Sequence, residues 1–293
     1  MVQLTGGLGN QLFGLFFGLY VSHKNKLPLI LDETIVPHGL TNHGSTLNSF
    51  NFSIPVISQT YKNGIFKKYL NRIIDKLYLE SSLFKMLTIR FRRIYKSNVT
   101  GFDPEAVKIQ GGFLAVGYFQ SWKYVLDTIK LFPGRTLTLR NPSAWFEMTA
   151  KELLRVNPTV LHVRRGDLKI PHNPSGLLTA DYYLNALDKL PACNVVWVFS
   201  DDIDESKKMF DIKSKYTFEF IQPPLNTDPA ESMIVMSLSS QIIIANSTFS
   251  WWAAMFGEEN KRVIAPIPFF KNIAEPLDFI PNDWLRQESK WED

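Results

Sequence analysis

The chain has 293 residues, of which 45% are hydrophobic and 20% are charged. This length suits two domains of ordinary size, and the composition excludes a disordered chain. The formal net charge of only +4 gives no case for a nucleic-acid partner. No apolar run approaches the roughly 20 residues that span a bilayer, and the start shows no signal-peptide pattern. Since the single Cys193 excludes an internal disulfide, we expect a cytoplasmic protein.

Short apolar segments alternate along the chain with segments of helical periodicity. Strands are predicted at 1–4, 28–31, 113–118, 159–163, 195–200, 218–221, 242–245 and 262–265. Helices are predicted at 11–25, 61–96, 122–131, 143–155, 180–190, 204–210, 228–240 and 250–256. The alternation predicts an α/β fold with parallel sheets that are covered by helices on both sides. Turn-rich residues within 133–158 indicate a domain boundary.

A glycine-rich turn follows the first predicted strand. Three of the four residues from Gly6 to Gly9 are glycine, and a helix follows them. Backbone N–H groups at such a helix start can bind an anion, although a simple tight turn explains the pattern as well. Neither the dinucleotide spacing G-x-G-x-x-G nor a P-loop is present. The chain therefore lacks the fingerprint of a dinucleotide-dependent oxidoreductase. Only Asp32 lies near the acidic position that such an enzyme requires.

A basic segment runs from Lys67 to Lys96. It holds nine Lys and Arg residues against two acidic ones, with aromatic and aliphatic residues between them at largely helical spacing. A basic amphipathic helical pair can lie on an anionic membrane surface. The alternative is a solvated outer face on helices that pack within the domain.

Two adjacent arginines follow the strand predicted at 159–163, next to His162. Because a guanidinium stays charged and open α/β sheets bind ligands at the carboxyl edge, Arg164 and Arg165 indicate an anionic ligand there. Gly166 would allow the ligand to approach the backbone closely. The alternative is a surface ion pair between Arg165 and Asp167.

Polar residues also follow two other predicted strands. Asp201 and Asp202 come directly after the strand at 195–200, where they could bind a metal ion, or one of them could cap the next helix. Small polar residues at 246–250 lead into another predicted helix. Their hydroxyl and N–H groups suit phosphate binding, and an ordinary N-cap is the alternative.

In this order and spacing, the motifs resemble those of the bacterial α-1,2-fucosyltransferases of glycosyltransferase family eleven, which use GDP-fucose. The resemblance runs from Gly6 to about Trp284 and rests on residues 6–13, 116–121, 162–167, 199–202 and 246–252. It implies a GT-B-type fold, in which two Rossmann-like domains face each other across a cleft. Residues 1–145 would form an N-terminal acceptor-side domain, and residues 146–293 a C-terminal GDP-fucose-binding domain.

The resemblance also implies the reaction. L-Fucose would move from GDP-β-L-fucose to the 2-hydroxyl of a galactose residue in a glycan, with inversion to an α-1,2 linkage, in the synthesis of bacterial surface polysaccharide or O-antigen. A related transferase with a different deoxy-sugar donor is the alternative, and a non-catalytic sugar-binding module would have no use for the phosphate-binding motifs. No metal and no further cofactor are expected, and residues 67–96 would contact the inner face of the cell membrane.

Each step of this reaction suggests a residue. Arg164 would stabilise the charge on the departing β-phosphate, while Asn10 would orient the acceptor or the leaving oxygen. His172 is the favoured general base ahead of Asp167, because pairing with an arginine would lower the basicity of that carboxylate. Arg165 would then support the site through Asp167.

Guanine recognition calls for a carboxylate that accepts from N1–H and the exocyclic amine. Asp202 and Glu231 are the candidates, with His162 as a nearby hydrogen-bonding partner. The complete set of expected donor-binding residues is Gly7, Gly9, Asn10, His162, Arg164, Asp202, Glu231, Ser247, Thr248, Phe249 and Ser250.

Overall fold

The computed structural model describes residues 1–33, 47–52, 94–166, 174–191 and 194–292, together with the backbone of 56–59. Its strands are β1 (Val2–Gln3), β2 (Leu29–Asp32), β3 (Phe50–Asn51), β4 (Val56–Gln59), β5 (Ile94–Lys96), β6 (Leu114–Val116), β7 (Thr138–Leu139), β8 (Thr159–Val163), β9 (Val195–Ser200), β10 (Thr217–Phe220), β11 (Gln241–Ile243), β12 (Arg262–Ile267) and β13 (Leu285–Glu288). Its helices are α1 (Leu8–Asn25), α2 (Pro104–Lys108), α3 (Trp122–Ile129), α4 (Ala144–Val156), α5 (Ala180–Leu187), α6 (Ile203–Met209), α7 (Pro229–Ser237) and α8 (Thr248–Met255).

The chain forms two compact units. The first comprises Met1–Asn48, Phe52–Lys130 and Pro276–Phe279, and the second comprises Ser49–Asn51, Leu131–Glu275 and Ile280–Asp293. The division at 130 lies earlier than the boundary that we predicted at 145. The reason is that β7 pairs with β3 inside the second unit, and the Gly257 N–H donates to the Arg135 carbonyl at 3.2 Å.

The first unit contains a parallel sheet in the order β4-β2-β1-β6-β5. Strand β1 has β2 on one side and β6 on the other, so the chain order reverses at β1. Turns that follow β1 and β6 therefore emerge at the same edge of the sheet. Helix α1 buries Leu12, Phe16 and Phe17 completely, and this burial fixes the glycine-rich turn at its start.

The second unit contains a parallel sheet in the order β10-β9-β8-β11-β12-β13. All five residues of β8 are buried, as expected for a central strand that is covered on both faces. The sheet order reverses between β8 and β11. The carboxyl ends of β9, β8 and β11 consequently lie side by side at the switch point of the sheet, where open α/β folds bind ligands.

Four helices of the second unit begin at a side chain that accepts a backbone N–H of the first turn. These capping residues are Ser143 before α4, Asp202 before α6, Asp228 before α7 and Ser247 before α8. Each cap satisfies a donor that a helix start otherwise leaves unpaired. The caps therefore determine where the helices next to the switch point begin.

The structure corrects the end of the helix that we predicted over 61–96. Residues Ile94–Lys96 form β5, which pairs with β6 at the edge of the first sheet. The rest of that predicted helix, residues 61–93, lies outside the described residues. Among the described residues, no helix combines the length and the apolar character needed to cross a bilayer.

Candidate functional site

Arg164 and Asp201 form an ion pair at the switch point of the second sheet. Arg164 follows β8 and Asp201 follows the adjacent β9, and the Arg164 Nε lies 3.1 Å from the Asp201 Oδ2. The other carboxylate oxygen accepts the Arg165 N–H at 2.8 Å. A Cβ at Gly166 would lie only 2.9 Å from the Asp201 Oδ2. A larger residue at position 166 would therefore clash with the Asp201 carboxylate, which orients Arg164.

Arg165 pairs with Glu292, a partner that we did not predict. Its Nη1 lies 2.5 Å from Glu292 Oε1 and its Nη2 lies 3.1 Å from Glu292 Oε2. Nη1 also donates to the Leu178 carbonyl at 3.4 Å. The Arg165 side chain is only 9% exposed, so this bidentate pair fixes the end of β8 to the chain near the C-terminus. Asp167, the predicted partner, lies outside the described residues.

His162 is a buried, neutral side chain on β8. Its pKa is lowered to about 4, mainly by burial; the Asp201 carboxylate opposes this shift and the nearby Arg164 adds to it. The imidazole ring lies 5.5 Å from the ring of Phe249, between centroids. No described residue forms a hydrogen bond with the buried Nδ1. An unpaired buried nitrogen is costly unless a ligand meets it, so His162 is a candidate ligand contact.

The start of α8 lies at the end of β11, beside Arg164 in the sheet order. Ser247 caps this helix by accepting the Phe249 N–H at 3.2 Å, as the N-cap interpretation predicts. The buried Ser250 hydroxyl donates to the carbonyls of Ser247 and Ala245 at 3.1 and 3.3 Å. Thr248, the first residue of the helix, is half-buried. The positive end of the α8 dipole therefore lies at the edge that carries Arg164.

Asn246 holds the returning chain against this edge, a role that we did not predict. Its side-chain amide donates to the carbonyls of Ser175 and Gly176 at 2.8 and 3.0 Å. A Cβ at Gly176 would lie 2.6 Å from the Lys271 Cβ. Asn246 thus fixes the segment that follows residues 167–173, which include His172 and lie outside the described residues.

The two carboxylates that we proposed for guanine both have structural contacts. Asp202 accepts the Glu205 N–H at 3.1 Å and so caps α6, which is the alternative given for this pair of aspartates. Buried Glu231 accepts from the Ser143 N–H at 3.0 Å and from the Ser143 hydroxyl at 2.5 Å. No group of three potential metal ligands occurs among the described residues.

The glycine-rich turn of the first unit is compact and well defined. Gly7 is the N-cap of α1, with extended backbone and no side-chain cap. Gly6 has a φ of +69°, and a Cβ there would lie 2.6 Å from the Asn10 Nδ2. The buried Gln11 amide closes the turn on the Gly6 carbonyl at 2.9 Å. Gly9 and Asn10 thus lie in the first turn of α1, at the carboxyl edge of the first sheet.

Several of these functional contacts escape sequence reasoning. Asp201 is adjacent to Asp202, the residue that we selected, and the sequence does not distinguish the two aspartates. Glu292 is distant in sequence from Arg165, and no local pattern connects them. Gln120 lies within residues 116–121, which contributed to the family resemblance but received no role.

A model of a known protein family matches part of the second unit. Residues 151–273 match the family model described as Glycosyl transferase family 11. An alpha-1,2-colitosyltransferase of Escherichia coli is 29% identical over 98% of both chains. The O-antigen biosynthesis glycosyltransferase WbnK of Escherichia coli is 28% identical over 91% of this chain and 93% of its own.

A solved structure matches the fold as well. A mutant of Arabidopsis thaliana FUT1 in complex with GDP superposes with a TM-score of 0.50 at 13% identity, over 98% of this chain and 72% of that chain. The resemblance to family eleven and the GT-B-type α/β class that we predicted are both confirmed.

Proposed function

We propose that this family 11 glycosyltransferase moves L-fucose from GDP-β-L-fucose to the 2-hydroxyl of a galactose residue in a glycan. The observation that carries the proposal is the Arg164–Asp201 pair at the switch point, beside the N-terminus of α8. A fixed guanidinium and a helix N-terminus at one sheet edge suit a diphosphate. The names of the relatives support sugar transfer in α-1,2 linkage and O-antigen synthesis.

Arg164 acts on the leaving group in this proposal. Negative charge grows on the β-phosphate as the bond to the sugar breaks, and a guanidinium that is already oriented stabilises that charge without reorganising. Asp201 holds Arg164 through Nε at 3.1 Å. The backbone N–H group of Thr248 is the further phosphate donor proposed at the start of α8, because the Phe249 N–H already donates to the Ser247 cap.

The base and sugar moieties have their own proposed partners. Asp202 and Glu231 remain the proposed carboxylates for guanine, and neutral His162 would hydrogen-bond the donor through a ring nitrogen. Inversion requires a single displacement with an oxocarbenium-like transition state. His172 is the proposed base that removes the proton from the acceptor hydroxyl.

A second candidate donor is GDP-colitose, and the name of one relative favours it. Colitose differs from L-fucose in lacking the 3-hydroxyl group. A site that hydrogen-bonds this hydroxyl rejects the sugar without it by about 10⁴-fold, whereas an apolar contact at that position discriminates only weakly. Parallel kinetics with the two donors therefore distinguish the two specificities.

The basic segment at 67–96 would hold the enzyme near a lipid-linked acceptor. Each basic residue near an anionic surface contributes about 1 kcal/mol of attraction, which salt screens. Replacing Arg90, Arg92 and Arg93 by Gln should weaken sedimentation with vesicles that contain anionic lipid, while turnover on a soluble galactoside stays unchanged. Equal vesicle binding by the triple variant would identify the segment as an ordinary solvated face.

The donor assay tests the proposed function directly. GDP, UDP and ADP are titrated against the protein by calorimetry, and GDP-fucose and GDP-colitose are then offered with a panel of galactosides. We expect selective binding of GDP and transfer of a deoxy sugar. Binding of UDP or ADP in preference to GDP, or a lack of transfer from both donors to every galactoside, would contradict the proposal.

A further inference from the structure

Asn10 accepts a hydrogen bond from the loop after β6, which has no role in the proposed function. The Gln120 Nε2 donates to the Asn10 Oδ1 at 2.8 Å, across 110 residues of sequence. Gln120 is 8% exposed and follows β6, whereas Asn10 follows β1. Because β1 and β6 are neighbours in the first sheet, their carboxyl-end turns bring the two amides together.

The loop that carries Gln120 is itself fixed in an unusual conformation. Phe119 has a φ of +49°, in the left-handed region that side chains rarely adopt. Its buried ring stacks on Phe17 of α1, with centroids 3.7 Å apart and planes 2° from parallel. The Gln120 N–H also donates to the Thr100 carbonyl at 2.6 Å. Backbone strain that packing maintains in this way is typical of functional sites.

This bond determines which end of the Asn10 amide faces away from Gln120. The Oδ1 accepts from Gln120, so the Nδ2 retains its two N–H groups for another partner, and no described residue accepts from it. Gly6 also makes room for this nitrogen, since a Cβ there would lie 2.6 Å from Nδ2. Asn10 consequently presents a hydrogen-bond donor.

We propose that Gln120 is a positioning residue that orients the Asn10 amide so that its Nδ2 donates to a phosphate oxygen of the nucleotide-sugar. This inference rests on the proposed function, which supplies the diphosphate. The loop after β6 then acts on the ligand only through Asn10.

A double-mutant cycle on GDP affinity tests the coupling. We expect Gln120→Met and Asn10→Ala each to weaken GDP binding about tenfold. The double variant should bind no more weakly than Asn10→Ala, since Gln120 acts through Asn10. Asn25→Ala is the matched control, because this amide, near the other end of α1, donates to the Ile109 carbonyl at 3.3 Å. GDP affinity of the control should equal that of the wild type.

A second comparison tests the orientation without altering Gln120. Asn10→Asp keeps the acceptor for Gln120 but replaces the donating nitrogen with a charged oxygen. It should therefore bind GDP more weakly than Asn10→Ala, because the new carboxylate repels phosphate. Thermal unfolding of each variant checks that its fold is intact.

Three results would overturn the inference: wild-type affinity in Gln120→Met, losses that multiply in the double variant, or Asn10→Asp binding at least as well as Asn10→Ala. A wild-type protein that fails to bind GDP would instead contradict the proposed function, and the inference with it. The two failures are therefore distinguishable.

Discussion

Arg164 is the single residue on which the proposed chemistry depends most. Arg164→Ala should lower kcat by about 10²–10³-fold, because it removes the charge that meets the departing phosphate. Arg164→Lys should also perform poorly, since a point charge replaces the planar fork. Steady-state kinetics measure the loss, and circular dichroism checks the fold. Arg155→Ala, at an exposed arginine of α4, is the control. More than about a tenth of wild-type turnover in Arg164→Ala, a loss of under roughly 1.4 kcal/mol, would remove this role.

His162 should make folding stability depend on pH. Its pKa is about 4 in the folded protein and about 6.5 in an unfolded chain. Between these values the unfolded state binds the extra proton, so stability falls as the pH drops from about 6.5 to 4. The loss due to this group approaches about 3 kcal/mol at the acid end.

Urea unfolding of the wild type and His162→Asn between pH 4.5 and 7 measures this effect. The slope of the unfolding free energy against pH should be smaller in the variant, by the uptake of about one proton on unfolding. Carboxylates titrate in both proteins, so their contribution cancels in the comparison. Parallel curves for the two proteins would mean that His162 is charged in the folded state or exposed to water.

Sequence patterns predict some residues of the site better than others. Arg164 could be placed at the sheet edge because an apolar run ends directly before it. The partner of Arg165 could not be predicted, because Glu292 reaches it through tertiary folding. Asp201 and Asp202 look equivalent in sequence. The structure distinguishes them, because Asp201 contacts the arginines whereas Asp202 caps α6.

At the scale of elements, the chain after β13 stabilises the end of β8. Glu292→Gln removes one charge of the bidentate pair with Arg165, whose side chain is 9% exposed. Since Glu292 itself is 35% exposed, we expect a loss of about 1–3 kcal/mol in the free energy of unfolding. Chemical denaturation measures this loss.

Glu152→Gln is the matched control for that pair. Arg155 and Glu152 also form a bidentate pair, but both side chains lie on the exposed face of α4. This variant should unfold at the same denaturant concentration as the wild type. Equal stability of Glu292→Gln and Glu152→Gln would show that the chain end does not support β8.

Elements with strong patterns were predicted most accurately. The bounds of β8 and β9 match the prediction, because both are short, mostly apolar runs within a parallel sheet. The edge strand β13 was missed, since its sequence Leu-Arg-Gln-Glu has no apolar alternation. Helix α1 begins three residues earlier than predicted, at Leu8 rather than Gln11, because glycines carry little helical signal.

At the scale of the whole molecule, we expect catalysis to need no divalent metal. The motivation is the set of groups proposed for the diphosphate at the second sheet, namely the Arg164 guanidinium and the N-terminal end of α8. Transfer should continue at the wild-type rate in excess EDTA. Complete loss of transfer in EDTA that Mn²⁺ restores would assign Asp201 and Asp202 to a metal and contradict the arginine-based mechanism.

The linkage of the product is the most direct measure of the proposed transfer. The protein is incubated with GDP-β-L-fucose or GDP-colitose and a β-galactoside, and the purified product is analysed by NMR. We expect an α-anomeric deoxy sugar on the 2-hydroxyl of galactose, with its configuration inverted relative to the donor. A β-linked product, or attachment to a different hydroxyl, would contradict it.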